Sequence, residues 1–164
     1  KNKLKLADQY NASKINFING NEINVQSEMI RIVEANDRTY SPLALYFLID
    51  NNIVISNKKI NELFNILIND TNLEKEIKNL IIYKKALYNS DFENENNLLK
   101  ILNPLINSES IWKSHALHLL AEYFYSKNER QKAKEFFEKI LILENSNPNI
   151  KSDAQKRINR DFSE

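Results

Sequence analysis

The sequence predicts an all-α protein assembled from a repeated helical hairpin. Three observations carry that prediction: apolar residues fall at i, i+3, i+4 and i+7 almost throughout, no sustained alternation marks a strand, and similar apolar positions return about every 36 residues. Nine helices are expected, with short connections.

The first helix spans residues 2–18 and gives way to a turn at Gly20. A second, over 21–36, carries Met29 and Ile32 one turn apart. Ser41, followed by Pro42 at the first helical position, starts a third over 41–53. The fourth, 57–70, shows its stripe as Ile60, Leu63, Phe64 and Leu67, and a fifth covers 73–89. Asp91 precedes an acidic first turn and a sixth helix over 92–107, and Ser110 opens a seventh over 110–127. Asn128, with Gln131 three residues on, resembles a capping box and starts the eighth, 129–145. Pro148 marks the turn before the ninth, 149–161.

Met29, Phe64, Ile101 and Phe137 are 35, 37 and 36 residues apart, and Ile32, Leu67, Pro104 and Ile140 repeat those intervals. A unit of that length holds a helix, a tight turn, an antiparallel helix and a linker, and its apolar face needs a neighbour to bury it. The pairs are 2–36, 41–70, 73–107 and 110–145, with 149–161 as a capping helix, all in one domain over 1–164. The last pair is the most regular. Leu117, Leu120, Ala121 and Phe124 precede Ala133, Phe137 and Ile140, and the small residues Ala121 and Ala133, twelve apart, let two helices cross closely. This is similar to the tetratricopeptide pattern of L-[GA]-x-x-[YF], then A, then F. It implies a right-handed solenoid of four hairpins, with an irregular helical bundle as the alternative. At the position of Ala133, the first, second and third pairs carry Val25, Ile60 and Asn97.

Composition excludes several classes of function. Lys plus Arg is 23 and Asp plus Glu is 22, so a net charge of +1 provides no field to gather nucleic acid or anionic lipid. The basic stretch Lys151, Lys156, Arg157 and Arg160 is expected to be a solvated helix face. One glycine cannot build a phosphate-cradling loop, and the lack of cysteine removes disulfides, thiolate catalysis and thiolate zinc sites. Neither H-E-x-x-H nor G-x-S-x-G occurs. No enzyme activity, cofactor or metal is expected. The abundant asparagines suggest compositional drift, and no function is drawn from them. The longest apolar run, Leu43 to Ile49, is far shorter than the roughly 18 residues needed to cross a bilayer.

Four segments together carry a more specific resemblance. They are Ser41-Pro42-Leu43-Ala44, the stretch from Glu76 to Leu87, Leu102-Asn103-Pro104-Leu105, and the stretch from Ile111 to Ala121 that begins Ile-Trp-Lys. With them the chain resembles, over nearly its whole length, the tetratricopeptide-like domain of the ancillary SecYEG translocon subunit family, also described as cell-division coordinator-like, in its alphaproteobacterial branch. The resemblance implies a single-pass inner-membrane protein whose periplasmic helical domain binds translocon components or exported proteins. An apolar anchor of about 20 residues would precede Lys1. A cytoplasmic scaffold of the same fold, without a role in export, is the alternative.

Partner binding is expected on the concave face. His115, His118, Glu122 and Tyr125 fall along one stripe of the seventh helix, and Tyr83 and Lys84 project from the first helix of the third pair. Read as metal chemistry instead, His115, His118 and Glu122 are two imidazoles and a carboxylate, and a metal-dependent hydrolase on the two histidines is a third reading. Trp112 is expected to anchor packing at the start of its helix. Phe136 and Phe137 supply an inter-helix contact and core, respectively.

Overall fold

A computed structural model describes residues 2–163, which form nine α-helices and no strand. They are α1 (Asn2–Ile18), α2 (Val25–Glu34), α3 (Tyr40–Asp50), α4 (Asn57–Asn65), α5 (Lys75–Asn89), α6 (Glu95–Ile106), α7 (Lys113–Ser126), α8 (Arg130–Ile142) and α9 (Pro148–Asp161). α4 continues into one π-helical turn, Ile66–Asp70, closed by the Thr71 N–H on Ile66 O at 3.0 Å. Among the described residues, no helix is long and apolar enough to cross a membrane.

The chain forms two compact units, Lys1–Ile81 and Ile82–Glu164. In the first, α1 packs on α2 and α2 on α3, around Met29, Ile32, Val33, Leu45, Leu48 and Phe64. Ser41 ties the α2–α3 connection, donating to Ile32 O at 2.6 Å and accepting from the Asp37 N–H at 2.8 Å. In the second, α7 packs closely on α8, and α8 on α9, around Leu117, Ala121, Phe137, Ile140 and Ala154. α9 turns Ile150, Ala154 and Ile158 to this core and leaves Lys151, Gln155, Lys156 and Asn159 exposed.

The buried positions follow a spacing more regular than the apolar pattern suggested. In α2, α4 with its π-helical turn, α6 and α8 the positions Val25/Ile60/Leu98/Ala133 are each no more than 3% exposed, as are Met29/Phe64/Leu102/Phe137 and Ile32/Leu67/Leu105/Ile140. In α1, α3, α5 and α7 the residues Ser13, Leu48, Ala86 and Ala121 are fully buried. All four series share the intervals 35, 38 and 35, and each first-helix position lies twelve residues before its second-helix counterpart. The sequence register is thereby corrected in the third pair: Leu98, Leu102 and Leu105 face inward, whereas Asn97 and Pro104 are exposed and Ile101 is half-buried. The three additional residues of the long interval fall between Leu67 and Ala86, where the chain inserts its π-helical turn.

Several expected starts are also corrected. Ser41 lies inside α3, and Asp37 Oδ1 instead accepts from the Thr39 and Tyr40 N–H groups. Asn94, not Asp91, caps α6, accepting from the Asn97 N–H at 2.9 Å. Asn128 forms no capping box: its φ is +61°, and it terminates α7 with the Glu129 N–H on Phe124 O at 2.9 Å. Asn52 and Gly20 end α3 and α1 in the same way, at φ +52° and +75°, with N–H groups of Ile53 and Asn21 reaching Leu48 O and Asn16 O. Asparagine adopts the left-handed conformation more readily than other side-chain-bearing residues, so in a chain with a single glycine it takes the glycine's place at helix ends.

Candidate functional site

α7 carries the candidate site in the second unit. Its inner side is fixed by Ala116, Leu120, Ala121 and Phe124, all buried, and a second stripe whose members are three or four residues apart runs beside it. His115, His118, Glu122 and Tyr125 lie on this stripe and are half-buried. The structure divides them into two groups.

The first group centres on Trp112. Its indole stacks on Tyr83 from α5, with ring centroids 6.1 Å apart and planes 15° from parallel, and lies 4.8 Å from the His115 imidazole. Tyr83 meets His115 edge-on at 5.6 Å. Thus Trp112 packs as expected, but half-buried and shared with two of the predicted contact residues. His115 Nδ1 is buried without a hydrogen-bond partner among the described residues. Burial lowers the His115 pKa from its ordinary value, and His118 adds to the shift, which keeps the ring neutral at pH 7. Burial likewise raises the Tyr83 phenol, so the surface is an uncharged aromatic platform. Lys84 follows Tyr83 on α5, half-buried.

The second group is engaged by α9. His118 Nε2 is 2.7 Å from Asp153 Oδ2 and 3.9 Å from Glu122 Oε1. Arg157 bonds Glu122 through Nη1 and Asp161 through Nε, the latter at 2.5 Å. Its guanidinium lies 4.6 Å from the Tyr125 ring centroid and 5.0 Å from that of Phe137. Tyr125 also meets Phe162 at 5.9 Å, with Arg130 over both rings. Arg160, then Arg157, hold the Asp161 carboxyl well below the usual carboxylate range.

Two sequence readings change here. Arg157 is not part of a solvated basic face, since its side chain is only 12% exposed and threaded between two rings and two carboxylates. Lys151 and Lys156 are exposed as expected. The possible metal set also changes: His115 belongs to the aromatic group, and Asp153 takes its place beside His118 and Glu122. Sequence reasoning missed Asp153, Arg157, Asp161 and Phe162. The i,i+4 spacing of Arg157 and Asp161 was the one local signal pointing to a pair.

Compared with known protein families, curated proteins and solved structures, the chain finds no match in any of the three.

Proposed function

We propose that the chain is a right-handed tetratricopeptide-like array of four helical hairpins closed by α9, and that it is a non-enzymatic module that binds a segment of another polypeptide. One observation supports this most: the buried positions of four successive helix pairs share the intervals 35, 38 and 35, with a constant twelve residues between crossing positions. A hairpin of fixed geometry repeated four times accounts for that constancy, and stacked hairpins leave a face made by their first helices. In the second unit the proposed face consists of Tyr83, Lys84 and His115, while His118, Glu122 and Tyr125 on the same stripe are engaged by Asp153, Arg157 and Phe162. The exposed edge of the Tyr83–Trp112–His115 platform suits an extended or helical segment presenting apolar and neutral polar groups.

The resemblance to the ancillary translocon subunit family extends the proposal. On that reading the module is the periplasmic domain of a membrane-anchored factor, and its partners are translocon components or exported proteins. Site-specific photocrosslinking in cells from Tyr83 and Lys84 tests it. Adducts with translocon subunits or exported chains are expected. Adducts confined to cytosolic proteins would point to a cytoplasmic scaffold instead.

A further inference from the structure

We propose that His118, Glu122 and Asp153 bind a divalent transition-metal ion of the zinc class, which bridges α7 and α9. Each residue offers one ligand atom, and the three atoms lie within 4.8 Å of one another. The set is drawn from two helices. His118 and Glu122 are one turn apart on α7, and Asp153 reaches them from α9, 35 residues later in the chain. The fold therefore brings an imidazole and two carboxylates together by tertiary packing.

The donor chemistry selects the ion. An imidazole favours zinc, nickel or iron over the hard ions magnesium and calcium, and two carboxylates match a divalent charge. His118 Nε2 lies 2.7 Å from Asp153 Oδ2, a hydrogen bond from the imidazole N–H to the carboxylate that an ion would replace. Metal–ligand distances of about 2.0–2.2 Å around a tetrahedral ion put ligand atoms about 3.3–3.6 Å apart, so that pair opens by about 0.6–0.9 Å while the more distant atoms of the set draw in. The surroundings hold the ligands in place. Arg157 bonds Glu122 on one side, and its own charge is balanced by Asp161. A carboxylate has about four lone-pair sites, so a guanidinium and a cation can share it. With side chains 28%, 36% and 49% exposed, the site is open to solvent and leaves positions for water.

The chain is well suited to the test, since it holds two histidines and no cysteine. The untagged full chain is titrated with Co²⁺, read by its visible absorption, and then with competing Zn²⁺. Expected are one site with a dissociation constant below about 100 μM, a rise in Tm on adding Zn²⁺, and affinity at least tenfold weaker in His118→Ala and in the near-isosteric Asp153→Asn. His115→Gln should bind as the parent does. A constant above about 100 μM, or His118→Ala and Asp153→Asn binding as tightly as the parent while folded by circular dichroism, would overturn the proposal.

Discussion

Truncating Leu102 should cost much more than truncating its neighbour Ile101, although the apolar pattern alone favours Ile101 as the core position. Leu102 is fully buried in α6, while Ile101 is half-buried. Leu→Ala at a closed site loses the transfer free energy of the side chain and leaves a cavity, together about 3–4 kcal/mol. Ile101→Ala removes atoms already in partial contact with water and should cost about 1–2 kcal/mol. In a chain of this size each kcal/mol shifts Tm by about 2–4 °C, so Leu102→Ala should melt roughly 6–16 °C below the parent. Trp112, the only tryptophan, lies in the same compact unit and reports the transition through its emission in a urea titration. The same ordering should separate Leu105→Ala from Pro104→Ala. If Ile101→Ala proves as costly as Leu102→Ala, the 35, 38, 35 register is wrong.

Arg157→Met keeps some aliphatic bulk but loses the bonds to Glu122 and Asp161, and should destabilise the chain by about 1–3 kcal/mol in chemical denaturation. Asp161 has a depressed carboxyl, so its contribution is fully present above the ordinary carboxylate range and is lost as pH falls through its folded value. Asp161→Asn should remove that part of the acid sensitivity in a stability–pH profile. His115 has a lowered pKa, so the unfolded chain binds its proton first. Stability should decline as pH drops below about 6.5, and His115→Gln should flatten that limb. Tyr83→Ala uncovers one face of Trp112 and should red-shift the emission of the chain's only tryptophan.

Most helices were legible because they carry an amphipathic period, α3 instead as a short run of mostly apolar residues, and α1 keeps the expected span 2–18. The third pair was misaligned for a physical reason. Three additional residues sit at one place, in and after the π-helical turn, and a mean period near 36 spreads them over every repeat. That error placed Ile101 and Pro104 inside, when Leu102 and Leu105 are the buried pair. Helix ends were harder to read, since Asn128 can serve either as a cap for the next helix or as a left-handed terminator of the previous one, and only backbone geometry decides. In the candidate site the α7 stripe was visible from spacing. Its division was not, because Trp112 draws His115 toward Tyr83 while Asp153 and Arg157 take up His118 and Glu122, and those partners lie 29 to 35 residues away in sequence.

The proposed stacking is tested most directly by distances between spin labels placed two at a time on corresponding exposed positions of α2, α4, α6 and α8. Ser27, Glu62, Lys100 and Glu135 are all exposed, follow the intervals 35, 38 and 35, and can be labelled through introduced cysteines because the chain has none. A stacked array predicts that the separation from Ser27 grows in order to Glu62, Lys100 and Glu135. A Ser27–Glu135 separation no longer than Ser27–Glu62 would mean that the hairpins gather around a common centre, and would contradict it.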